Sequence, residues 1–295
     1  MPRDFERPKG RLLLFWGCGA KAGPGQPVII DFAKVAAGQM PPNLFTTTVP
    51  RIREVMASNS KSYASWPNSK SSKQPSSGSS LLGAHRIAGN VGPEINFTLA
   101  QDYMPGLNAS TTMQGDGSVM IRWNQLVPAT GYVAWAMGGM ERAGHNGSRG
   151  GDMVMWTSAN NRDGATGMDW LSPAEVSRQI AAKNVMPPSQ TNCAIPAEAK
   201  KAAGGMMFGS MNAYGPEENF AFPPKPADPK AIWNIDWTAK VRFRAFASFM
   251  TGMGDMGGMG GMDRADDEAA GEAPKPKPKR KCRGPMGIPI PGMTC

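Results

Sequence analysis

The chain has 295 residues, enough to bury a sizeable core in one large domain or two of ordinary size. Hydrophobic residues make up 40% and charged ones 19%, while 36 Gly and 27 Pro leave few stretches long enough for helices, so composition favours short strands joined by loops. The net charge of +9 lies outside the middle of the chain: residues 1–80 carry 11 Lys/Arg against 4 Asp/Glu and residues 81–262 carry 14 against 14, which describes a solvated basic fringe and argues against specific nucleic-acid recognition.

In chain order, Arg11 to Trp16 and Val28 to Phe32 are strand candidates separated by Gly17-Cys18-Gly19. A dinucleotide-binding loop needs a third glycine in register and a helix directly after it; here Pro24 and Pro27 block the helix, so the segment is a turn. Leu12 to Trp16 is shorter than the ~7 to 15 apolar residues of an export signal, and no segment approaches the ~20 that span a bilayer. No transmembrane segment is expected. Taken alone, these two facts predict a cytoplasmic protein; with a natural start upstream of Met1, the cell envelope or secretion is the expected location.

Residues 57–80, rich in Ser, Lys, Asn and Pro, cannot bury enough apolar surface to offset their ordering entropy and read as a flexible linker or loop. Period-two alternation then recurs four times, through Ile95, Phe97 and Leu99, through Val119, Ile121 and Trp123, through Val133, Trp135 and Met137, and through Val154 and Trp156. Each run predicts one buried and one exposed face, with Met120 and Tyr132 on the side expected to be exposed. Ser172-Pro173-Ala174-Glu175 is a capping box with Pro at the first helical position and predicts a helix to about Lys183. A shorter helix is predicted over Pro196 to Ala203, ended by Gly204-Gly205. Phe220 to Pro229 reads as extended, and Ile235, Trp237, Ala239, Val241 and Phe243 alternate as a last long strand.

The strand ending in Trp123, the short link through Pro128 and the Ala129-Thr130-Gly131-Tyr132 opening of the next strand resemble the B to C strand passage of fibronectin type III and related immunoglobulin-like sandwiches. The resemblance covers about residues 94–157 and implies that Trp123 packs between two sheets; it carries no functional residues. The expected fold is therefore mainly β, an antiparallel β-sandwich with a helical insertion at about 172–203. The expected segments are an N-terminal β segment (1–56), the linker (57–80), the sandwich (81–249) and a disordered Met/Gly-rich and Lys/Pro-rich tail (250–295).

Chemistry has few candidates. Cys18, Cys193, Cys282 and Cys295 lie far apart, without C-x-x-C spacing or a nearby histidine, which excludes a zinc site and leaves disulfide pairing open. His85 and His145 are the only histidines available as a base, no Ser sits in a nucleophile elbow, and Glu217-Glu218 reads as a solvated loop. No catalytic and no cofactor-binding residue is assigned. Met250, Met253, Met256, Met259 and Met262 recur every third residue in a Gly-rich stretch. Thioether sulfur selects Cu(I), and the stretch is similar to the methionine-rich segments of periplasmic copper-handling proteins, with His145 as a further candidate ligand. The leading expectation is a non-enzymatic binding or structural module of the bacterial cell envelope that contacts a polymer or a protein partner. Its alternative is a copper-binding protein using methionine thioethers.

Overall fold

The computed structural model describes residues 10–39, 76, 78–89, 92–143, 149–162, 168, 170–252, 281–283 and 289–294. The protein is mainly β. In chain order the elements are β1 (Gly10–Trp16), β2 (Val28–Asp31), α1 (Phe32–Ala36), β3 (Gly83–Ile87), β4 (Ile95–Leu99), β5 (Ala109–Met113), β6 (Val119–Trp123), β7 (Gly131–Ala143), β8 (Arg149–Thr157), α2 (Pro173–Ala181), β9 (Asn192–Ile195), α3 (Ala197–Ala202), β10 (Met207–Phe222) and β11 (Trp237–Thr251). Residues 262–295 form a separate unit, in which β12 (Lys281–Arg283) and β13 (Pro289–Thr294) pair antiparallel. The expectation of a tail without structure is corrected at those two strands.

Six strands form one sheet in the order β11-β10-β7-β8-β1-β2, and β5-β6-β9 form another of three. All pairings in the two sheets are antiparallel except one. β1 runs parallel to β8 from Gly10 opposite Gly151 to Trp16 opposite Thr157, which corrects the expectation of an all-antiparallel sheet. In the Leu-Leu-Leu-Phe-Trp run of β1, Leu13 and Phe15 are buried while Leu12, Leu14 and Trp16 are half-buried on the other face.

One core cluster draws on both sheets. Leu13, Phe15, Ala134, Ala136, Val154, Trp156, Met207, Met211, Ala245 and Phe249 come from the six strands, and Val119, Ile121, Trp123, Cys193 and Ile195 from the three. Trp123 is buried there, its ring 5.5 Å from that of Tyr132, whose hydroxyl accepts from Leu126 N at 2.9 Å. On β7 the expected faces are exchanged: Tyr132, Ala134 and Ala136 are fully buried, while Trp135 and Met137 face outward. Side-chain size misled the pattern here, because the core needs small residues where Met211 and Phe249 already fill the space.

β10 was not legible as a strand, since it contains Gly209, Gly215 and Pro216. Gly209 is required by packing: a Cβ there would lie 2.3 Å from Phe249 Cζ and 2.7 Å from the Trp135 carbonyl. Near Gly215 and Pro216 the ladder with β11 shifts between Tyr214 and Glu217, a bulge that re-aims the strand beyond it. α2 begins as its sequence predicts, with Ser172 Oγ accepting from Glu175 N at 3.3 Å. It buries Val176 against Val133, Leu171, Val185 and Tyr214, on the face of the large sheet opposite the main core. Full burial of such a valine is worth about 1.5 to 3 kcal/mol.

Candidate functional site

The turn Gly17-Cys18-Gly19 joins the two sheets. Cys18 forms a disulfide with Cys193 of β9, Gly19 N donates to Ala194 O at 2.9 Å, and Trp156 Nε1 donates to Gly17 O at 2.9 Å. An open cleft of about 390 Å³ lies beside the bridge and is lined by Gln114, Asp116, Ser118, Gln190 and Asn192 among others. Its one carboxylate, Asp116, accepts from Ser118 Oγ and Ser118 N, which hold it below its ordinary pKa. The lining offers amide and hydroxyl groups but neither a histidine nor a cation.

The acid-base candidates hold structural positions. His85, on β3, lies with Nε2 2.6 Å from Leu81 O and stacks on Phe97, which stacks in turn on Phe220. Glu217 and Glu218 lie in β10, which corrects their reading as a solvated loop. Glu217 accepts from Arg242 Nε at 2.5 Å and Asn219 Nδ2 at 3.0 Å, with Lys240 Nζ 3.5 Å away. Burial pushes its carboxyl up, and these hydrogen bonds and charges more than offset that, so its pKa falls below the ordinary value. Arg242 also donates to Trp170 O at 2.8 Å, and the Arg244 guanidinium lies 4.0 Å over the Trp170 ring. Glu218 Oε1 is buried without a hydrogen-bond partner among the described residues.

The other feature is the outward face of the six-stranded sheet. The strand registers align Met250, Phe208, Met137, Met155, Leu14 and Val28 in one row, one residue from each strand in sheet order. Beside it lie Met153 and Leu12 on one side and Trp135 and Trp16 on the other. Phe208 is 54% exposed, Met153 46%, Met137 38% and Trp135 37%. α2 and its flanks cover this face where Val133 and Tyr214 lie; the methionine row is beyond them. Ser210 and Asn212, on the same face of β10, are buried with Ser210 Oγ and Asn212 Oδ1 lacking hydrogen-bond partners among the described residues.

Of the expected metal ligands, Met250 is the penultimate residue of β11 and lies in this row, opposite Phe208. Met253, Met256, Met259, Met262 and His145 lie outside the described residues, as do Cys295 and most of the 57–80 linker. Among the described residues, no group of three or more His, Cys, Asp or Glu is placed to hold a metal ion, and no helix is long and apolar enough to cross a membrane. Sequence reading missed the outward row, because its members come from six separate strands that only the register brings into line. Comparison with protein-family models, with curated proteins and with solved structures finds no match to this chain.

Proposed function

We propose that the chain is a non-enzymatic binding module of the cell envelope or the exterior, built on an immunoglobulin-like sandwich, which contacts a protein partner through the outward face of its six-stranded sheet. The observation that carries this reading is the row from Met250 to Val28, apolar on every one of six strands and exposed at its centre. A contiguous apolar patch on a rigid sheet marks an interaction surface, and Trp, Phe and Met are the types enriched where proteins meet. The sandwich reading is supported by strand order: β5-β6-β9 and β11-β10-β7-β8 follow the A-B-E and G-F-C-C′ orders of that architecture, with β6 and β7 as strands B and C. The Cys18–Cys193 bridge supports an oxidising compartment.

A protein partner fits better than a glycan polymer. The row is built mainly of aliphatic and thioether side chains, Met250, Met137, Met155, Leu14 and Val28 with one ring, Phe208, whereas glycans stack on successive open ring faces. The test places a photo-crosslinking residue at Phe208 or, as a control outside the face, at Val127, which is 98% exposed, in cells that make the protein. The reading expects one saturable protein adduct from position 208, none from 127, and loss of the adduct when Met137→Lys is added. Equal adducts at both positions, or none at 208, overturn it. Trapping of thiols in the same cells tests the compartment, since Cys18 and Cys193 found reduced would sink the exported location.

A further inference from the structure

We propose that Met137, Met153 and Met155 form a thioether site for Cu(I) on the outward face of the six-stranded sheet, distinct from the Met250–Met262 repeat and argued without the protein partner proposed above, with which it shares Met137 and Met155. Met137 and Met155 are directly opposite across the β7–β8 ladder. Side chains so placed have Cβ atoms about 4.5 to 5.5 Å apart on one face. Met153 projects from the same face two residues from Met155, and its cross-strand partner is Gly139, which puts no side chain into the space. Three unbranched, rotatable arms on one face can therefore bring their sulfurs to one point above Gly139.

The backbone at this point favours the arrangement. A side chain at position 139 would meet the Asp152 carbonyl at 3.2 Å, so the glycine also keeps β7 close to β8. Met137 and Met153 are 38% and 46% exposed, which leaves their sulfurs open to an ion arriving from solvent. Flexible methionine normally fills gaps in a core, and here three of them face outward together.

The donor chemistry selects the ion. Thioethers are neutral and soft, hold their lone pairs at any pH, and discriminate against hard cations that require oxygen. Asp152, next to Met153 in β8, lies on the opposite face of the strand and is held by Arg11, with nitrogen and oxygen 2.5 Å apart. Cu(I), or Ag(I) as its air-stable counterpart, is thus the class of ligand, bound with low charge and two or three sulfurs.

The test uses the full chain with its Cys18–Cys193 bridge intact and with Cys282→Ser and Cys295→Ser, so that no other cysteine sulfur is offered to the ion. Cu(I) is titrated under ascorbate against a chromophoric Cu(I) chelator, and Ag(I) is followed through the methyl NMR signals of 13C-labelled methionine. The site predicts binding of one ion, shifts confined to Met137, Met153 and Met155, and loss of more than about tenfold in affinity in Met137→Leu/Met155→Leu, a scale on which even outer-shell changes act. Leucine conserves volume at these positions, and an unchanged near-UV circular dichroism spectrum certifies the fold of the variant. A second variant, with Met253, Met256, Met259 and Met262 changed to leucine, retains the site. Binding lost in the second variant and kept in the first assigns the ion to the repeat and overturns the proposal, as does a parent protein that binds no ion.

Discussion

Cys18 and Cys193 are covalently joined although they stand 175 positions apart in the chain. In the chain-entropy account, a cross-link closing so long a loop stabilises the folded state by about 5 kcal/mol. The double variant Cys18→Ser/Cys193→Ser is expected to unfold at markedly lower urea concentration than the oxidised parent, with the slope of the transition reporting any change in the unfolded chain. An unchanged midpoint would mean that the hydrogen bond from Gly19 N to Ala194 O and the burial around it hold the two sheets together without the bridge.

Gly209→Ala tests the packing of β10 against β11. The added methyl meets the Phe249 ring at 2.3 to 2.4 Å, and the Trp135 carbonyl at 2.7 Å is backbone that cannot step aside. Thermal unfolding should show a loss of about 1 to 3 kcal/mol. Combining it with Phe249→Leu should cost less than the sum of the two single changes, because the ring supplies the closer contacts.

On the β3–β4 hairpin, Arg86 Nη2 donates to Glu94 Oε2 at 2.6 Å and Asn96 Nδ2 to Oε1 at 3.1 Å. The hydrogen bond from Arg86, with that from Asn96 and the guanidinium charge, holds the Glu94 pKa at about 2. A depressed carboxylate stabilises the folded state above the ordinary carboxylate range, and that contribution is lost as pH falls through about 2. Carboxyl NMR titration should place the Glu94 midpoint there, and Arg86→Ala should return it toward the ordinary range.

Glu217 obeys the same sign for a more complex reason, since burial opposes the hydrogen bonds that lower it. Removing the largest of those bonds with Arg242→Ala leaves burial less opposed. The Glu217 pKa should then rise, measured by the same titration, and the stability it contributes should be lost at a higher pH.

The sequence showed those elements whose two faces differ in size as well as polarity. Ile121 and Trp123 on β6, Val154 and Trp156 on β8, and the Ser172 cap of α2 stand where their pattern places them. On β7 the core is lined by Ala134 and Ala136 and the solvent side by Trp135 and Met137, so hydrophobicity alone pointed to the wrong face. β10 was hidden by Gly209, which admits Phe249, by Gly215, which admits Met104 and Phe243, and by a proline at its bulge. The outward row was hidden for a different reason: its six members are spread from Leu14 to Met250, and only strand register brings them into line. The pairing of Cys18 with Cys193 likewise depends on β9 reaching the turn after β1, which spacing cannot express.

The parallel pairing of β1 with β8 also sets a delay during synthesis. Arg11 meets Asp152 across 141 residues, so at about 5 to 20 residues per second the first strand exists for about 7 to 28 s before its long neighbour is made. During that interval only β2, four residues long, can pair with it, and an isolated hairpin of that size is marginal in water. Leu12 to Trp16 therefore emerges early as an apolar segment without its eventual partner, and the rate at which β8 follows decides how long that segment is open to other chains.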